Sequence, residues 1–79
     1  LKEKKDMPKE AVTAPIPGKV VRVNTSAGAR INEGDSICEI ESMKMENPIL
    51  APVSGIVKEL AIQPGKVVKT GELLAEIEY

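Results

Sequence analysis

The 79 residues predict an all-β sandwich or barrel with an internal pseudo-two-fold repeat. Three observations carry that prediction. From Pro15 to Gly71 glycine and proline recur at intervals of ten residues or fewer, except between Gly34 and Pro48, which leaves little room for helices. The apolar content is aliphatic: 21 residues are Val, Ile or Leu, with no Phe or Trp and a single Tyr, a mixture suited to thin, tightly packed sheets. Finally, residues 14–41 align without a gap onto residues 51–78, at an offset of 37.

The repeat is specific. Ala14-Pro15 matches Ala51-Pro52, Gly18 matches Gly55, Val20 matches Val57, Gly28 matches Gly65, Gly34 matches Gly71, and Glu39-Ile40-Glu41 matches Glu76-Ile77-Glu78. Two copies are too few for a solenoid, which needs about three. They suit one domain in which each half buries the apolar face of the other.

The elements follow in order. Residues 1–10 carry four lysines, three acids and a proline without apolar periodicity, and read as a charged tail or linker preceding a domain over 11–79. Strands are expected near 11–16, 18–25, 29–31, 36–42, 45–51, 55–62, 66–68 and 73–78. Val20 and Val23 are an odd number apart, as are Val57 and Leu60, so neither pair can share a face of a regular strand. A bulge is therefore expected near 21–22 and again near 58–59. Cys38 alternates with Ile40, and Ala75 with Ile77, which predicts an inward face with little room. Gly28, Gly34, Gly65 and Gly71 are expected at turns, some with positive φ.

Composition narrows the function. The net charge of −1 lacks the clustered basic face of a nucleic-acid binder. No apolar run approaches the roughly 20 residues of a membrane-spanning helix, and no direct membrane contact is expected. Histidine is absent and Cys38 is the single cysteine, so the usual zinc sets and the Ser-His-Asp and Cys-His catalytic arrangements cannot be built. No metal-binding or catalytic residues are assigned. A lone thiol suits a reducing compartment, and a cytoplasmic location is expected.

Removing both copies and the tail leaves residues 42–50, Ser-Met-Lys-Met-Glu-Asn-Pro-Ile-Leu, joining the halves. Strands enter and leave this stretch, which puts Met43-Lys44 at a hairpin tip with the Lys44 amine projecting from it. Position alone does not separate a working amine from one that merely aids solubility. Met-Lys-Met at the one unrepeated joint of a gap-free repeat is the rarer coincidence.

Glu41-Ser42-Met43-Lys44-Met45-Glu46-Asn47, with the Ala14-Pro15, Gly18, Gly34-Asp35, Ala51-Pro52 and Gly55 framework, resembles the biotinyl domains of biotin-dependent carboxylases, decarboxylases and transcarboxylases. The resemblance covers residues 11–78. It implies a flattened barrel of two four-stranded antiparallel sheets with biotin joined by an amide to Lys44. The domain would be a non-catalytic biotin carboxyl carrier, a swinging arm serving a biotin carboxylase site and a carboxyltransferase or decarboxylase site, and loaded by a biotin protein ligase. The biotinylated side chain would reach roughly 12–14 Å when extended. The family most often has alanine where this chain has Ser42, and the protruding insertion of some members is missing, since residues 24–28 allow only a short loop. Met43 and Met45 are read as flanking recognition surface, because unbranched thioethers adapt to different partners; packing beside the turn is the other reading. The alternative function is a lipoyl carrier on the same fold. Lipoyl domains typically place aspartate before the lysine and alanine after it, whereas here methionine occupies both positions.

Overall fold

A computed structural model describes residues 8–79. It contains eight strands: β1 (Lys9–Thr13), β2 (Gly18–Val23), β3 (Arg30–Ile31), β4 (Ser36–Ser42), β5 (Met45–Leu50), β6 (Gly55–Leu60), β7 (Val67–Val68) and β8 (Leu73–Glu78). They form two four-stranded antiparallel sheets, in the orders β1-β8-β6-β3 and β5-β4-β2-β7. The all-β, two-sheet expectation holds.

Adding 37 to any strand of the first half gives its counterpart: β1 becomes β5, β2 becomes β6, β3 becomes β7 and β4 becomes β8. The two sheet orders convert into one another by the same rule. The halves are also interleaved. β3 leaves its own half to edge β6, and β7 leaves its half to edge β2. Neither copy can complete a sheet alone.

The symmetry extends to hydrogen bonds. Gly65 N donates to Val20 O at 2.7 Å, and Gly28 N donates to Val57 O at 2.7 Å. Ala14 N donates to Glu72 O, as Ala51 N does to Asp35 O. Even a side-chain turn is copied: Asn32 N donates to Asp35 Oδ2, and Lys69 N to Glu72 Oε1. That last bond is the main reason the Glu72 carboxyl lies below its ordinary range.

Both expected bulges are present. β2 slips by one residue between Val20 and Arg22, and β6 slips between Val57 and Glu59. Val20 and Val23 thereby both reach the core side. A second mirrored pair escaped the sequence reading. Ile37 is extra on β4 and Leu74 is extra on β8. Each lets two consecutive residues, Ile37-Cys38 and Leu74-Ala75, turn inward with no exposed surface.

The core is aliphatic, centred on Val20, Val57, Ile40 and Ile77, with Ala14 and Ala51 filling mirrored small spaces. Gly18 and Gly55 sit where a Cβ would collide with the carbonyl oxygens of Glu41 and Glu78. Gly28, Gly34, Gly65 and Gly71 all adopt positive φ with open space around them, so backbone conformation requires glycine there.

Two boundaries differ from the sequence reading. Residues 9 and 10, expected in the tail, belong to β1, where Lys9 pairs with Glu78 and Glu10 with Ile77. The remainder of the expected tail, residues 1–7, lies outside the described residues. The joint is also shorter than 42–50, since β5 is the counterpart of β1. Only residues 42–45 make the turn itself.

Candidate functional site

β4 and β5 are joined by the tightest connection in the fold. Ser42 pairs with Met45, leaving Met43 and Lys44 as a two-residue tip. Both have positive φ, 55° for Met43 and 68° for Lys44, the sign pattern of a type I′ turn. That turn matches the twist of a hairpin but favours Asn-Gly. Side chains with a Cβ adopt this backbone at a cost of roughly 1–2 kcal/mol per residue. No other non-glycine among the described residues has positive φ. The structure therefore holds its local strain at the tip. Such strain concentrates at sites where geometry matters for function.

Lys44 is exposed, and among the described residues its amine takes part in no ion pair. Met43 and Met45 are 92% and 65% exposed, so neither thioether packs into this domain. The tip thus brings together the three residues singled out from the sequence and presents them to solvent. One rung down, Glu41 and Glu46 face each other across the strands, both exposed. On the adjoining strand Lys19 is the partner of Glu41, and Arg22 forms an ion pair with Glu39 at 3.0 Å.

Asn47 belongs to the segment that carries the resemblance, but the sequence reading gave it no role of its own. It pairs with Ile40 and lies half-buried on the face of β5 that carries buried Ile49. Its Nδ2 donates to Ile40 O at 3.4 Å and to Met45 O at 3.3 Å. An asparagine where alternation calls for an inward apolar residue was the available signal.

The site is a protrusion. A shallow groove of about 280 Å³ lined by Leu60, Ala61, Ile62, Gln63 and Lys66 includes no hairpin residue. No group of three or more potential metal ligands occurs among the described residues. What the tip offers chemically is one reachable primary amine on a constrained turn. That is what an amide-linked cofactor requires: an acylable nitrogen that a second enzyme can engulf.

Comparisons with known proteins agree with this geometry. The profile of the family described as "Biotin-requiring enzyme" matches residues 10–77. The chain is 42% identical over 67 residues to pyruvate carboxylase of Bacillus subtilis, covering 85% of this chain and 6% of that protein. It is 45% identical over 65 residues to the mitochondrial propionyl-CoA carboxylase alpha chain of Homo sapiens, covering 82% and 9%. It is 44% identical over 68 residues to the biotinylated protein TB7.3 homolog of Mycobacterium leprae, covering 86% of this chain and 96% of that one. Among solved structures it superposes on a single-chain, multi-domain long-chain acyl-CoA carboxylase with a TM-score of 0.84 at 29% identity, covering 98% of this chain and 8% of that one. The chain therefore spans a small fraction of the large carboxylases and nearly all of one short biotinylated protein. With its two mirrored sheets and its exposed lysine tip, the chain belongs to the biotin/lipoyl family of biotin-requiring enzymes, as a biotinyl domain.

Proposed function

We propose that this domain carries biotin as an amide on Nζ of Lys44 and moves carboxyl groups between a biotin carboxylase site and a carboxyltransferase or decarboxylase site. One observation carries the assignment to Lys44: its amine stands exposed on a two-residue tip whose backbone is held in a conformation that lysine disfavours. Biotin, once attached, supplies a ring nitrogen that accepts a carboxyl group and releases it again. The chain's own contribution is mechanical. The paired strands β4 and β5 fix the root of the arm, and the lysine methylenes give it swing. A tethered group of this kind is presented at an effective concentration near the millimolar range for a short flexible link. No described side chain hydrogen-bonds the Lys44 amine, so the ligase must take up the proton that acylation releases.

The identities to pyruvate and propionyl-CoA carboxylases support a carboxylase as the parent assembly, whose other parts select the acceptor. Methionine on both sides of Lys44 favours biotin over the lipoyl group. Met43 and Met45 serve as adaptable contact surface for the ligase and for the partner active sites. A cytoplasmic setting suits the unpaired thiol of Cys38.

The test is to treat the purified domain with a biotin protein ligase, ATP and biotin, and in parallel with a lipoate ligase, ATP and lipoate. Intact mass should rise by one biotinyl group, peptide mapping should place it on Lys44, and Lys44→Arg should remain unmodified. A lipoyl group accepted in preference to biotin would decide for the alternative carrier. Mass found on another lysine would refute the site.

A further inference from the structure

The Met43–Lys44 turn needs support, and its two residues do not supply it. Each pays the steric penalty of a left-handed backbone, and neither is the Asn or Gly that usually relieves it. The remaining contacts of the hairpin's upper half decide whether the turn is populated.

We propose that Asn47 is a positioning residue for Lys44: one side-chain amide ties Ile40 O on β4 to Met45 O on β5 and thereby holds the turn that presents the amine. The two hydrogens of a single NH2 group can serve two acceptors. Met45 directly follows Lys44, so its carbonyl orientation is coupled to the turn. Ile40 is fully buried, so its carbonyl is anchored to the core. The bridge therefore refers the strained tip to the most rigid part of the fold. At 3.4 and 3.3 Å both bonds are long, so they bias the turn rather than lock it. The mirrored position underlines the point: Glu10, the counterpart of Asn47, makes no such bridge among the described residues and supports no lysine tip.

The consequence is kinetic. If only a fraction of molecules shows the ligase the correct turn, the apparent affinity falls by that fraction, while turnover at saturation is untouched. Loss of the bridge should raise KM for loading and leave kcat alone.

The inference rests on Lys44 as the loading site, and the experiment separates the two. Wild type, Asn47→Leu, Asn47→Ser and Asn47→Gln are compared by ligase kinetics, thermal unfolding and proton NMR of the unmodified domain. Leucine keeps the size without the donors, serine is too short to bridge, and glutamine keeps the amide. Expected for Leu and Ser is a KM raised about fivefold or more with kcat within twofold. The strong intraresidue HN–Hα contacts that positive φ gives Met43 and Lys44 should weaken, while signals from Val20 and Val57 stay in place. Asn47→Gln should recover most of the wild-type KM. Wild-type KM and undiminished tip signals in both the Leu and Ser variants would overturn the inference. So would a loss of loading that merely tracks the unfolded fraction. Failure of wild-type Lys44 to be loaded would instead refute the function, and the NMR comparison would still judge Asn47.

Discussion

Glu41 and Glu46 stand directly opposite each other, one rung below Ser42 and Met45, as a like-charged pair beside the lysine tip. The mirrored rung holds Lys9 opposite Glu78, an opposite-charged pair. The same backbone thus carries repulsion at one rung and attraction at its symmetry mate.

That contrast predicts the effect of Glu46→Lys, which would reproduce the mirrored pairing. Directly opposed charges contribute about 0.2–1 kcal/mol, so the variant should be more stable by about that amount at low salt. Screening should erase the gain near 1 M salt. Thermal unfolding of wild type and variant at both salt concentrations checks this; a variant no more stable at low salt would refute it.

The glycines divide into two kinds with different sensitivities. Gly65→Ala meets no neighbour and should cost about 1–2 kcal/mol from the left-handed backbone alone. Gly55→Ala drives a methyl into the carbonyl of Glu78, which is main chain and cannot rotate away. It should destabilise the domain more than Gly65→Ala does. Urea midpoints of the two variants rank them directly.

Met43 and Met45 face solvent, so replacing both with leucine should leave folding unchanged within about 0.5 kcal/mol. The recognition reading predicts slower loading of Lys44 or slower carboxyl transfer in the assembled enzyme. If both rates and the unfolding curve match wild type, the methionines are not recognition surface.

Burial first, and the Glu39 carboxylate second, push the Cys38 thiol up from 9.0 to about 11. The folded chain keeps its thiol proton over a range in which the unfolded chain loses it. Stability from this source is complete below about pH 9 and declines as pH rises through 11, by about 3 kcal/mol in all. Cys38→Ala should lose less stability than wild type between pH 8.5 and 10.5 on the pH scale of a urea titration, an interval of about two units. Native Cys38 should resist alkylation at neutral pH and react once urea unfolds the chain.

Much of this architecture was legible in the residues. The 37-residue offset announced the two-fold relation, and the odd spacing of Val20 and Val23 announced the first pair of bulges. Identical glycines marked the turns because only glycine meets their backbone requirement. The β1–β5 correspondence was hidden: Lys9–Thr13 and Glu46–Leu50 share no identical residue, and only Val12 with Ile49 keeps an apolar match. Edge strands form half of one ladder, so sequence is loosely constrained there. The bulges at Ile37 and Leu74 were also hidden, since two adjacent aliphatic residues fit a regular strand equally well. At the site, Lys44 was visible as the odd residue between two copies. Asn47 was not, because its role depends on carbonyls brought to it by pairing.

The rung formed by Ser42 and Met45 has its own mate, where Tyr79 N donates to Pro8 O at 3.0 Å. At one of these two matching places the chain runs on continuously through Met43 and Lys44; at the other, two distant stretches merely meet. Of two matching corners, the described residues therefore build a hairpin tip at one. What separates the two is connectivity: the corner that the backbone crosses is the one that gains an exposed lysine.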